Sequence, residues 1–208
     1  MAFADAALLK TTLLGVQPGD FVSAHLFEPI PNLFAGDLAL WITWKTQLAH
    51  QLEVDPYEIV LTGSSAVGFS LNPAKNFAAF HPESDVDVAV VSAHHFDLAW
   101  RYLRRTHPSW LSLPMEAQRA LKAHRNNYVF AGTIATDRIL ALLPFAKPWQ
   151  AALDAMAKVN PTIGREVNLR VYRDYDSLRS YQVTGIERLR GALLETKADE
   201  ADVLTEDA

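Results

Sequence analysis

Apolar residues recur along this chain with two periods, and the switches between them mark out its elements. Over residues 4–14, Leu9 and Leu13 fall on one face of a helix that Gly15 and Pro18-Gly19 end. From Phe21 to Phe34 the aromatic residues and the prolines Pro29 and Pro31 predict an extended segment that packs across the body of the domain. Helical spacing returns from Leu38 to Leu52, with Leu40, Trp41, Trp44, Leu48 and Leu52 on one side, Asp37 or Gly36 at the start and Asp55-Pro56 as the break. Trp41 and Trp44 read as core residues rather than a stacking platform for a base. Ile59-Val60-Leu61-Thr62 is a short β-branched run that stops at Gly63, and a helix follows the turn.

The second half repeats the alternation. Asp85 to Val91 is a Val-rich strand interrupted by two aspartates. His94-His95-Phe96-Asp97 leads into a helix through Leu98, Trp100, Tyr102 and Leu103, whose polar side carries Arg101, Arg104 and Arg105. That basic side reads as a solvated face, and the histidine pair, with no third soft ligand nearby, as cap or surface residues. Pro108 to Pro114 is a connection, and residues 115–125 form a helix ended by Asn126-Asn127. Residues 128–144 mix strand and helix signals, with Asp137-Arg138 placed to start a helix. A helix spans 149–159, a strand 165–172, and a closing helix 176–194. The last strand puts Glu166, Asn168, Arg170 and Tyr172 on one face, with Val167, Leu169 and Val171 on the other. The fold class is therefore α+β: a mixed β-sheet flanked by helices, one domain over 1–194, and an acidic, disordered tail over 195–208.

Two features carry candidate chemistry. Gly63-Ser64-Ser65 gives a flexible turn followed by hydroxyls that can cap the next helix. Asp85 and Asp87 lie two apart in a strand, so they point the same way while Val86, Val88 and Val90 point the other. Aspartate is disfavoured in strands, and paired carboxylates raise each other's pKa unless a cation sits between them. The simplest such cation is Mg²⁺, which takes hard oxygen ligands and binds through one or two carboxylates plus substrate phosphates.

Gly63-Ser64 followed by Asp85-x-Asp87 in an apolar strand resembles the nucleotidyltransferase superfamily typified by DNA polymerase β. The resemblance implies a polymerase β-like core with extra helices. By position, Gly63, Ser64 and Ser65 would contact nucleotide phosphates, and Asp85 and Asp87 would be catalytic ligands to Mg²⁺ or Mn²⁺. Two departures stand out. Between Ser64 and Asp85 lie residues 65–84, longer than the family's usual spacing of around ten; the added loop around Leu71 to Phe77, with Lys75 as a candidate nucleotide contact, could fold over a bound nucleotide. The family's third carboxylate belongs on the last strand, where the best-framed position holds the neutral Asn168. Glu166, two residues away on the same face, is the candidate substitute as catalytic residue and metal ligand, with Arg170 as a phosphate contact.

Charge and composition narrow the partners. The chain has 208 residues, half of them hydrophobic, and a net charge of −5. Six of the 24 acids but one of the 19 bases lie beyond residue 194, so the rest of the chain balances at 18 each. A neutral body does not wrap long nucleic acid through phosphate neutralisation alone. There is no cysteine, which excludes disulfides and zinc-thiolate sites and fits a reducing cytoplasm. No apolar run approaches the ~20 residues of a membrane span, and the N-terminus lacks the basic region of a secretory signal. The resemblance implies transfer of a nucleoside monophosphate from a nucleoside triphosphate such as ATP to a hydroxyl of an RNA or tRNA end, a protein or another nucleotide. Small standalone members of this kind also imply a toxin or anti-phage defence setting, with a partner protein encoded nearby. The competing expectations are templateless synthesis of an oligonucleotide signal and a degenerate module that binds a nucleotide or partner without turnover.

Overall fold

The computed structural model describes residues 3–206, with side chains as far as residue 196. The chain opens with α1 (Ala6–Gly15), whose first turn is capped by Asp5 accepting the Leu8 N–H at 2.7 Å. Next come α2 (Pro18–Val22) and a π-helical turn, Ser23–Phe27, where the sequence pattern predicts extended chain. Pro18 occupies the first turn of α2, where its missing N–H has no partner to lose. Phe21, Val22 and Leu26 are buried, a spacing that suits a helix, so this segment packs as expected but in helical form. α3 (Leu38–Leu52) is capped by Asp37 and buries Trp41, Trp44, Leu48 and Leu52. The Trp44 indole N–H donates to Thr162 Oγ1 at 3.0 Å, which fixes the ring in the core, as its spacing predicts.

The sheet is built from β1 (Ile59–Thr62), β2 (Val86–Val91), β3 (Thr133–Ile134) and β4 (Val167–Tyr172), in the order β1-β2-β4-β3. β1 pairs antiparallel with β2, β2 parallel with β4, and β3 antiparallel with β4. Its faces follow the alternation of the sequence. Val86, Val88 and Val90 join Val167, Leu169 and Val171 in the main core, while Ala89, Val91 and Tyr172 form a second cluster with Leu178 and Tyr181. Leu178 and Tyr181 belong to α9 (Tyr175–Glu206), so that helix covers the face that also bears Asp87, Asn168 and Arg170.

The remaining helices are α4 (Gly63–Val67), α5 (Ala93–Thr106), α6 (Met115–Asn127), α7 (Thr136–Ile139) and α8 (Ala146–Met156). α8 starts three residues ahead of its sequence-based boundary because Pro148 is tolerated in a first turn. On α5, Ala99 and Leu103 are buried, whereas Leu98, Trp100 and Tyr102 stay exposed. α9 runs through residues 195–206, which the sequence reading set apart as a disordered tail; Ala198, Ala201 and Leu204 are good helix formers there. Residues 207 and 208 of that tail lie outside the described residues. The architecture is α+β, a mixed four-stranded sheet among helices. Among the described residues, no helix is long and apolar enough to cross a membrane.

Candidate functional site

The turn after β1 is shaped around one carboxylate. Gly63 has φ +62°, a left-handed conformation that side chains rarely adopt. A Cβ placed there would stand 2.8 Å from Asp87 Oδ2, so with any other residue that oxygen would have to shift. β1 and β2 are in register at Thr62 and Asp87, which sets the turn against the middle of the aspartate pair. Ser64 is half-buried at the start of α4. Ser65 is a different case. It is buried, and its hydroxyl donates to the Thr62 carbonyl at 2.9 Å, so its side chain locks the turn and does not face the cleft.

Asp87 lies on β2 and is open to water at the head of a cavity of about 160 Å³ lined by Gly63, Asp137, Asn168, Arg170 and Tyr181. Its carboxyl pKa is raised. The crowding of protein around it is the largest cause, Arg170 opposes it, Asp85 and Asp137 add to it, and Lys75 again opposes it. Asp85 therefore acts on Asp87 as the alternation implies, from an exposed position immediately before β2. Lys75 is exposed on the inserted loop, in the short turn Pro73–Lys75. This loop is tied back on itself, with Ser70 N–H donating to the Ala78 carbonyl and Phe80 N–H to the Gly68 carbonyl, both at 2.8 Å, and Phe77 buried beneath it.

Arg170 is engaged rather than free. Its Nη2 meets Asp137 Oδ2 at 2.8 Å and its Nε meets Asp137 Oδ1 at 3.2 Å, a two-point grip, and Nη1 donates to the Tyr181 hydroxyl. Burial alone would lower the guanidinium's pKa, but the bonds and charge of Asp137 raise it above its usual value. A side chain held this way supplies fixed positive charge beside Asp87 and has few donors left for a phosphate. Asp137, which the sequence marks only as a helix start, is thus part of the site, as is Tyr181. Neither carried a motif signal, because Asp137 and Arg170 meet across 33 residues of chain.

The last strand places the candidate third acids. Asn168 is directly across from Asp87 in the β2–β4 register. Glu166 precedes β4; its carbonyl accepts the Val86 N–H at 2.8 Å, and its exposed side chain lines a neighbouring cavity of about 330 Å³ with Asp137, Asp154 and Arg165. That cavity shares Asp137 and Asn168 with the smaller one. Among the described residues, no three His, Cys, Asp or Glu side chains are gathered closely enough to hold a metal ion between them. The histidine pair serves the fold: His95 is buried beneath Trp149 and Phe145, with Nδ1 3.0 Å from the Ser92 hydroxyl.

The donor set at Asp85 and Asp87 suits a hard divalent cation. Both carboxylates are reachable from water, and the proton affinity of Asp87 is raised partly by Asp85, a repulsion that a cation between them would relieve. No family model matches the chain, and no curated protein or solved structure matches it.

Proposed function

We propose that this chain is a metal-dependent nucleotidyltransferase with a polymerase β-like core, moving a nucleoside monophosphate from a triphosphate to a hydroxyl acceptor. The observation that carries the reading is the close approach of Gly63 and Asp87: a glycine-serine turn and an Asp-x-Asp strand, remote in sequence, meet with one Asp87 oxygen 2.8 Å from where a side chain at Gly63 would begin. Asp85 and Asp87 would hold the Mg²⁺ or Mn²⁺. When bound, the metal supplies positive charge for the triphosphate and the departing pyrophosphate. Gly63 and Ser64 offer backbone N–H groups and a hydroxyl to the phosphates, and Lys75 adds a positive charge from the inserted loop. Arg170, pinned by Asp137 and Tyr181, limits the negative charge that collects around Asp87 and thereby positions it. The acceptor oxygen bonds to the α-phosphorus, the bond from that phosphorus to the bridging oxygen breaks, pyrophosphate leaves and the hydroxyl proton is released.

Glu166, the candidate third carboxylate, stands just before β4 and lines the neighbouring cavity rather than the one at Asp87, and the residue facing Asp87 is the neutral Asn168. That neutral residue favours a second reading, in which the site binds a metal-nucleotide without turning it over. Pyrophosphate release across the four triphosphates, with calorimetric binding alongside, separates the two. Release that depends on added magnesium and disappears in Asp87→Ala supports the enzyme. Metal-dependent binding without release selects the binding module, and undiminished release by a folded Asp87→Ala overturns the site assignment.

A further inference from the structure

The basic side of α5, which the sequence presents as a solvated face, belongs to a larger surface. Residues 93–128, which hold α5, the 3₁₀ segment His107–Ser112 and α6, carry six bases and two acids, a charge of +4, while the rest of the chain carries −9. Arg101, Arg104 and Arg105 on α5 and Arg119, Lys122 and Arg125 on α6 are all exposed. Spacings of three and four residues line each set along one side of its helix. Among the described residues, only Arg101 of the six meets a carboxylate, that of Asp97 at 2.7 Å. Like charges gathered in one layer of an otherwise acidic protein repel one another, and an anionic partner relieves that repulsion.

The two helices meet at a concavity of about 210 Å³ bordered by Trp100 and Arg104 of α5 and by Arg125 of α6. A larger one of about 810 Å³ shares Trp100 with it and is lined also by Phe130 and Arg173. Trp100 is 38% exposed and Phe130 100%, and the Arg104 guanidinium stacks 4.5 Å from the Trp100 ring centre. Of the acids lining the larger concavity, Asp97 is the partner of Arg101, and Asp176 sits in the first turn of α9, where the helix dipole offsets its charge. We propose that this surface binds single-stranded nucleic acid. The exposed guanidiniums take its phosphates, and Trp100 and Phe130 present faces on which unpaired bases stack. Those faces favour a single strand over a duplex, whose bases are already stacked on one another. They also favour it over an acidic polypeptide, whose carboxylates would use the guanidiniums and leave both rings bare to water. The site stands apart from the nucleotidyltransferase reading, since it shares no lining residue with the cleft around Asp87.

The test is fluorescence anisotropy of a labelled uridine oligonucleotide with the full chain, using the same strand paired to its complement and polyglutamate of equal charge as competitors. The wild type should bind the single strand with an affinity that falls as salt rises. Arg104→Gln combined with Arg125→Gln should lower the slope of log affinity against log salt by about 1.4, roughly 0.7 for each charge removed. Phe130→Ala takes away no buried contact, so the fold should hold; it should weaken binding roughly fivefold or more and leave that slope unchanged. Absence of binding at low salt with the protein at tens of micromolar overturns the proposal, as does wild-type affinity in both variants. Polyglutamate that competes as well as the single strand assigns the face to an acidic protein instead, and a duplex that competes as well removes the role of the two rings; either result also overturns it.

Discussion

Replacing Gly63 with alanine separates two consequences of one methyl group. At φ +62° an L-residue is strained by about 1–2 kcal/mol, which for a chain of this length lowers Tm by roughly 2–8 °C. The new Cβ would also lie 2.8 Å from Asp87 Oδ2, a separation that forces the carboxylate to move. Gly164 provides the control, because its φ of +74° imposes the same backbone strain while nothing stands within 4 Å of its would-be Cβ. Thermal denaturation should therefore show both variants destabilised. Calorimetric titration with Mg²⁺ and a triphosphate should show binding weakened by roughly tenfold or more in Gly63→Ala and unchanged in Gly164→Ala. In an Asp87→Ala background, Gly63→Ala should cost less stability than it does alone, since the oxygen it strikes is gone. The reasoning is refuted if a folded Gly63→Ala binds the metal-nucleotide as the wild type does, or if its stability cost is the same with and without the Asp87 carboxylate.

Other outcomes follow from the same geometry. Asn168→Asp puts a carboxylate across from Asp87 and should tighten Mn²⁺ binding by roughly tenfold or more while lowering metal-free stability, as calorimetry and thermal melts would record. Because folding raises the Asp87 pKa, the folded state holds that proton more firmly than the unfolded one; the resulting stability is present at low pH and lost as pH rises through the folded value. Asp87→Asn should then raise the metal-free Tm at pH 7 while reducing metal-dependent transfer by roughly a hundredfold or more, and Asp85→Asn should lower the Asp87 pKa seen by carboxyl NMR. His124 moves in the opposite sense. Burial, only partly offset by Asp137 and the Thr133 backbone, lowers its pKa to about 4, so it contributes stability above pH 6.5 that is lost as pH falls toward 4. At its full extent that is about 3 kcal/mol, and the corresponding part of the acid slope in denaturant melts should vanish in His124→Phe. Arg170→Ala removes both bonds to Asp137 and should cost about 2 kcal/mol in urea unfolding.

The sequence by itself determined what depends on near neighbours along the chain. The period of two separated Asp87 from the valines of β2, and Asn168, Arg170 and Tyr172 from Val167, Leu169 and Val171 of β4, because pleating sends alternate side chains to opposite sides; the pairing of the two strands then brought these polar faces together. Gly63 as the end of β1 and Trp41 and Trp44 as core residues were legible in the same way, whereas His95, expected at a cap or on the surface, is buried against Phe145 and Trp149. Segment 21–27 was not, since its prolines and aromatics suit extended chain and its helical form is settled by burial of Phe21, Val22 and Leu26. Only the tertiary structure decided that Asp87 fills the space at Gly63, that Ser65 turns inward, and that Asp137 grips Arg170 instead of leaving it for a phosphate. Such encounters join residues far apart in sequence, and which ones meet is set by how sheet and helices share one core, a competition that no local pattern records.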